Sequence, residues 1–190
     1  MTDFPSSNCS KYFLKSHEPA PYKLTHLVEI LYQIQYELSL LLSCDDLSKK
    51  LNPVVEYVYN PLQYARDNYL EFLQTYIYSQ KKLMFLGINP GPWGMVQTGI
   101  PFGEVNIVRD WLKLSGTIFP PENQHPARPV EGFQCKRSEV SGRRFWALAK
   151  ELSRNDPKLF FKNSFLYNYY PLSLLAASGK NITPSDLKVV

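Results

Sequence analysis

The segment that most restricts the fold is the unbroken apolar run Leu83-Met84-Phe85-Leu86-Gly87. Led in by Lys81-Lys82, it has the character of a strand buried on both faces, the kind found in parallel sheets flanked by helices. Residues 88 to 104 are dense in Gly and Pro and read as a long loop, after which Val105, Val108 and Leu112 mark a helix with Trp111 beside them. Strand, loop and helix in that order make an α/β unit. Its loop lies in the crevice beyond the carboxyl end of the strand, where such sheets bind ligands.

Other elements follow from spacing. Leu27, Leu31, Ile34, Leu38 and Leu41 recur at intervals of four and three, an apolar stripe along a long helix that covers the core. Val54 to Tyr59 is extended in character and closes on Asn60-Pro61, and Tyr64 to Tyr76 is again helical. Beyond a Pro-rich stretch from Phe119 to Pro129, Phe145, Leu148, Ala149 and Leu152 show helical spacing after the candidate caps Ser138 and Ser141, and Asn155-Asp156-Pro157 ends that helix. Phe165-Leu166-Tyr167-Asn168 reads as a second short strand, stopped at Pro171 and backed by an apolar patch from Leu172 to Ala177. Thr183-Pro184-Ser185-Asp186 carries the signals of a helix start: a capping threonine, proline at the first position and an acid in the first turn. Residues 1 to 22, broken by Pro5, Pro19 and Pro21, are an irregular tail, and 23 to 190 form one domain. The last helix is announced and then stops, so the sequence reads as cut. A sheet of two strands would leave edges and apolar surface open.

A length of 190 residues suits one domain with a real core. Lys and Arg exceed Asp and Glu by 21 to 17, which permits a polyanionic partner without demanding one, because a nucleic-acid footprint needs its charges clustered. The basic pairs Lys49-Lys50, Lys81-Lys82, Lys136-Arg137 and Arg143-Arg144 taken alone are solvated surface. Cys9, Cys44 and Cys135 lie far apart and in odd number, which supports neither a disulfide framework nor a zinc site, and a reducing compartment fits. The most apolar stretch, Leu24 to Leu42, is interrupted by Glu29, Gln33, Gln35 and Glu37, so neither a signal peptide nor a membrane span is expected.

The richest stretch is Gly87-Ile88-Asn89-Pro90-Gly91-Pro92-Trp93-Gly94-Met95-Val96-Gln97-Thr98-Gly99-Ile100-Pro101-Phe102-Gly103-Glu104-Val105. It resembles the first motif of the single-strand-selective monofunctional uracil-DNA glycosylases. The resemblance continues through Val108-Arg109-Asp110-Trp111-Leu112, His125-Pro126-Ala127-Arg128-Pro129, the stretch from Ser138 to Trp146, and Ser178-Gly179-Lys180-Asn181-Ile182-Thr183-Pro184. It implies a three-layer α/β/α fold with a short parallel sheet, here expected to be incomplete for want of C-terminal strands. It further implies a DNA-repair enzyme that flips a nucleotide into a pocket and hydrolyses the bond between base and sugar, leaving an abasic site. Uracil and 5-substituted uracils such as 5-hydroxymethyluracil, in single- and double-stranded DNA, are the implied substrates. A monomer without metal or organic cofactor, in the nucleus, is the implied setting.

Roles follow by resemblance. Asn89 holds the attacking water; being a neutral amide it positions that water and is a poor base. Phe102 stacks on the flipped base, a contact worth roughly 1 to 3 kcal/mol in single-strand binders. Gly87 and the backbone of Ile88 line the pocket. Asn168 reads the base, its amide oxygen accepting from uracil N3–H and its amide nitrogen donating to O4, the reverse of what cytosine offers. Discrimination then needs neighbours that pin the amide. Ser178, Gly179, Lys180, Asn181 and Thr183 lie along the DNA, with Lys180 facing a phosphate.

The family's second motif, a His-Pro-Ser-Pro-Arg type loop whose histidine stabilises the leaving uracil anion, has no counterpart here. His125-Pro126-Ala127-Arg128-Pro129 is similar in letters but occupies an earlier family position, upstream of Asn168. Two readings therefore stand: an active glycosylase, or an inactive truncated form that at most binds DNA weakly. A nucleotide-phosphate binder is disfavoured, since neither GxGxxG nor a P-loop lysine is present.

Overall fold

The computed structural model describes residues 24 to 43 and 54 to 187. The tail expected at residues 1 to 22, with Cys9, Cys44, His17 and Lys49-Lys50, lies outside the described residues. Helix α1 spans Leu24–Leu42, strand β1 Tyr57–Tyr59, the short α2 Pro61–Tyr64, α3 Arg66–Tyr76 and β2 Leu83–Gly87. A single turn, α4, covers Met95–Thr98; α5 is Val140–Leu152 and α6 Pro157–Asn163, leading directly into β3, Ser164–Asn168. Strands β4, Ser173–Leu175, and β5, Asn181–Ile182, complete the described elements of regular length.

β2 and β3 pair in parallel, with Phe85 opposite Leu166 and Gly87 opposite Asn168. A parallel pair needs a crossover, and the chain from the loop through α5 and α6 supplies it. Beside this pair stands a separate antiparallel sheet in the order β1-β4-β5, with Val58 opposite Leu174 and Leu174 opposite Ile182. The main core joins α1, α3, α5, α6 and β3 around Tyr69, Phe72, Leu73, Trp146, Phe161 and Leu166, all fully enclosed. Its rings interlock, Phe72 meeting Phe161 edge-on at 5.4 Å and Phe160 meeting Phe161 at 5.1 Å.

Three expectations are corrected. β2 is not buried on both faces: Leu83, Met84 and Leu86 are exposed at 51%, 55% and 52%. Among the described residues β3 is its only strand neighbour, and the apolar run is left about half exposed. Helix α1 is also turned from its aliphatic stripe, since Leu27, Ile34 and Leu41 are exposed while Val28, Tyr32, Gln35 and Ser39 are buried. Hydrogen bonds make that polar face acceptable inside. The Tyr32 hydroxyl donates to the Leu62 carbonyl at 3.0 Å, Gln35 and the Tyr69 hydroxyl exchange bonds of 2.7 and 2.9 Å, and Ser39 Oγ accepts from Asn60 at 2.8 Å. Finally, the helix expected from Val105 widens into a π turn over Ile107–Trp111, closed by the Leu112 N–H on the Ile107 carbonyl at 2.8 Å. The wider turn still delivers Val108 and Leu112 to the core.

Candidate functional site

β2 ends at Gly87, and the chain beyond it must turn across the carboxyl ends of β2 and β3 before it reaches α4. There a cavity of about 320 Å³ opens, lined by Leu86, Gly87, Ile88, Asn89, Gly91, Met95, Phe102, Glu139, Ser141 and Asn168. Its volume is at the lower end of small-molecule sites, about 300 to 1,000 Å³. Asn89, Phe102, Asn168, Gly87 and Ile88, the five residues expected at a base pocket, all lie on its wall.

The loop is held in shape by buried polar side chains of its own motif. Gln97 is fully enclosed and uses every amide valence it has. Its Nε2 donates to the carbonyls of Pro92 and Pro129, both at 3.0 Å, and its Oε1 accepts from the N–H groups of Glu131 at 2.8 Å and Gly132 at 3.2 Å. Thr98 Oγ1 donates to the Gly103 carbonyl at 3.1 Å and accepts the Ile100 N–H at 3.2 Å. Asn68 in α3 holds the far end, donating to the Thr98 carbonyl at 2.6 Å and accepting the Gly116 N–H at 3.0 Å. Such satisfied buried networks fix one conformation.

Phe102 sits in this loop at φ 58, in the left-handed region. For an aromatic residue that costs about 1 to 3 kcal/mol and persists only where the surroundings over-determine it. The constraints are visible: the Trp146 indole N–H donates to the Phe102 carbonyl at 2.8 Å, the Gly103 N–H bonds Ile100 at 2.8 Å, and the ring stacks on Phe145 with centroids 4.5 Å apart at 19°. Phe145 is in turn braced edge-on by Phe85 at 5.1 Å.

Asn168 is 6% exposed and stands opposite Gly87 in the parallel pair. A Cβ at Gly87 would lie 2.1 Å from Asn168 Oδ1, so only glycine lets the amide occupy this place. Asn168 Nδ2 donates to Met95 Sδ at 3.0 Å, which fixes the two ends of the amide. Asn89 is oriented the same way, its Nδ2 donating to the Ile182 carbonyl at 3.4 Å, and Oδ1 remains as an acceptor.

The other five expected residues are elsewhere. Ser178, Gly179 and Lys180 form the tip of the β4-β5 hairpin, closed by the Ala176 N–H on the Lys180 carbonyl at 3.0 Å. Asn181 belongs to β5 and Thr183 precedes a single 3-10 turn, Pro184–Asp186, in place of the longer helix expected there. None of the five lines the cavity, although Ile182 touches Asn89. Thr183 does act as a cap: its N–H donates to Asp186 Oδ2 at 2.8 Å, which holds the Asp186 carboxyl below the usual carboxylate range.

His125 is buried beneath this hairpin and does not line the cavity. Its Nδ1 accepts the Ala127 N–H at 3.0 Å and its Nε2 lies 3.0 Å from the Ala177 carbonyl, so both ring nitrogens are engaged by backbone groups. Gly179, at φ 75, makes room for the ring. Among the described residues no lysine lines the cavity. Lys81 enters β2 at its other end, where burial lowers its pKa and its ammonium donates to the Tyr76 carbonyl at 2.6 Å.

Sequence reasoning missed Met95, Glu139 and Ser141 as wall residues. Glu139, not Ser138 or Ser141, is the residue that precedes α5, and its carboxylate accepts the Trp93 N–H at 3.2 Å. The Ser-Glu-Val-Ser stretch at the start of α5 was the available signal.

No family model matches the chain. A single-strand selective monofunctional uracil-DNA glycosylase of Rattus norvegicus is 42% identical over 172 residues, covering 90% of this chain and 62% of the rat protein. Its namesakes in Bos taurus and Mus musculus are 49% identical over 138 residues and 48% over 133, covering 73% and 70% of this chain. The chain spans 62%, 50% and 47% of the length of these three relatives. Among solved structures, a crystal structure of Pedobacter heparinus SMUG2 matches with a TM-score of 0.57 at 21% identity, over 85% of this chain and 62% of that one. The chain therefore shares its α/β fold with that protein.

Proposed function

The chain is a homologue of the single-strand-selective monofunctional uracil-DNA glycosylases, and from that premise we propose that it excises uracil from DNA by hydrolysis of the N-glycosidic bond. The observation that carries the reading is the convergence of Asn89, Phe102 and Asn168 on one cavity, each held by a contact to a neighbour.

In this reading a flipped uracil enters between Phe102 and the backbone of Gly87 and Ile88, its face on the Phe102 ring. Asn168 reads the Watson–Crick edge, with the amide held against reversal by Met95. Asn89 Oδ1 accepts a hydrogen bond from a water and aims it at the anomeric carbon. The water oxygen bonds to that carbon as the bond to N1 breaks, the electron pair goes to the uracil ring, and the proton passes to solvent. An abasic site remains. With no lysine on the wall, a Schiff-base route finds no residue among those that line the cavity.

The finer reading extends the substrates to 5-hydroxymethyluracil and to duplex DNA, with the β4-β5 hairpin at Ser178, Gly179 and Lys180, and Asn181 and Thr183 after it, lying along the strand. It also takes the protein as a monomer acting in the nucleus without a cofactor. The deciding experiment is alkaline strand cleavage of a single-stranded uracil oligonucleotide by the 190-residue chain and by Asn89→Ala. Cleavage by the first alone supports the reading; equal cleavage by both removes Asn89 from it. A second reading, DNA binding without base release, is favoured by His125, whose two ring nitrogens are both engaged by backbone groups away from the cavity. No cleavage with retained DNA binding would select it.

A further inference from the structure

Trp93 lies in the cavity loop between Gly91, which lines the cavity, and α4. Two guanidinium groups sit over its indole ring: Arg137 at 4.4 Å and Arg128 at 5.1 Å from the ring centroid. They come from separate segments, and both are tied to the loop. Gln97 bonds the carbonyl of Pro129, next to Arg128, while the Arg128 carbonyl accepts the Tyr59 hydroxyl at 2.9 Å. Glu139, two residues after Arg137, holds the Trp93 N–H.

A guanidinium stacked on an aromatic face keeps its edge N–H groups free for planar acceptors. Neither group forms an ion pair with a described residue; Arg128 spends Nη1 on the Ala127 carbonyl at 3.0 Å and has its Nε buried without a partner, which leaves Nη2 to a ligand, while Arg137 is exposed. Lys136, Arg137, Arg143 and Arg144 are all exposed around the start of α5. Glu139, the carboxylate among them, is turned inward onto Trp93 and the cavity wall. The result is an aromatic ring with two pre-positioned cations that have no ion-pair partner among the described residues, two residues along the loop from Gly91 of the cavity wall, and aromatic side chains combined with cations are how proteins track single-stranded nucleic acid.

We propose that Arg128, Trp93 and Arg137 form a binding site for the sugar-phosphate backbone of single-stranded DNA, built on the cavity loop and the segments before α5 and made of residues other than those of the β4-β5 hairpin. The site rests on the uracil-excision reading for the identity of its ligand. It would hold the phosphates flanking a base seated in the cavity.

The test uses a fluorescein-labelled single-stranded oligonucleotide that contains no uracil, so that failure of base excision leaves it intact. Binding is measured by anisotropy across a salt series for the wild-type chain, Arg137→Gln and the double variant Arg128→Gln/Arg137→Gln, with melting curves for each. Each lost phosphate contact flattens the slope of log K against log salt by about 0.7. The expected change is about 0.7 for the single variant and about 1.4 for the double. Because Arg137 is exposed, the single variant keeps the test decisive if the double variant loses its fold. Slopes equal to wild type in folded protein would overturn the proposal. So would retained DNA slopes joined with lost binding of an acidic peptide, which would assign the patch to a protein partner.

Discussion

On one side of the cavity Phe102 is held at φ 58 by the Trp146 indole, the Phe145 ring and the turn bonds of its own loop. On the other side Leu86 and Ile88, from β2 and the residue after it, stand 52% and 62% exposed. Both walls come from one stretch of chain, so composition does not separate them. What separates them is backing. α5 lies behind the first wall and supplies donors and rings that over-determine a strained residue, whereas β2 has one strand neighbour among the described residues and its outward side chains are left about half exposed. Substitutions should therefore be costly where the backing is dense and cheap where it is absent.

The largest effect is expected where the two walls meet. In Gly87→Ala the new Cβ would fall 2.1 Å from Asn168 Oδ1, and the amide must leave its place between Gly87 and Met95. Loss of one positioned group of this kind lowers rate by about a hundredfold to a thousandfold. Single-turnover uracil release should fall by that much while the far-ultraviolet dichroism is kept. A wild-type rate would show that the position of the Asn168 amide does not matter to the reaction.

The next effect tests the backed wall alone. Trp146→Phe preserves most of a fully buried ring but removes the N–H that satisfies the Phe102 carbonyl. A buried acceptor left without its donor costs about 1 to 3 kcal/mol, to be read from urea unfolding. A loss below about 0.5 kcal/mol, the size of an ordinary surface substitution, would mean that the other constraints suffice to hold Phe102.

Much of this wall is legible in the sequence. The Gly-x-Asn-Pro-Gly-Pro loop, the strand before it and Asn168 at the end of a second strand bring a parallel pair and a cavity at its carboxyl end, and Thr183 announced its cap through local signals alone. The antiparallel sheet was not legible, because β1 has three residues and β5 two, too short for any period, and the pairing of Val58 with Leu174 spans most of the chain. Glu139 was missed for a similar reason: it reaches Trp93 across a separation of 46 residues. The turned face of α1 shows another limit. Apolar spacing selected Leu27, Ile34 and Leu41, but Gln35 and Ser39 go inside because Tyr69 and Asn60 satisfy them, and partners so distant in sequence leave no local mark.

A smaller loss is expected at Phe145, which backs Phe102 without a hydrogen bond. Phe145→Leu keeps an apolar side chain but gives up the stack at 4.5 Å and the edge contacts to Phe85 and Trp146. Aromatic pairs contribute about 0.5 to 1.5 kcal/mol beyond their area, so stability should drop by that order. If Phe102 matters as a platform, the KM for a single-stranded uracil substrate should rise more than kcat falls. A fall in kcat alone would place Phe102 in the chemical step.

The smallest effect is expected on the open wall, and it is the sharpest test of the contrast. Met84 and Leu86 point outward at 55% and 52% exposure, and within the described residues no ring or hydrogen bond engages either side chain. Replacing them with serine removes apolar surface that water already covers, so the change in stability should stay within about 0.5 kcal/mol of zero, as for other exposed sites. Solubility should rise, since a flat apolar edge strand is a template for pairing between chains. Urea unfolding of Met84→Ser/Leu86→Ser beside Phe145→Leu puts both walls on one scale. A destabilisation of the double serine variant equal to that of Phe145→Leu would mean that this face is packed in solution, and the difference between the walls would then lie in strain at Phe102 and not in backing.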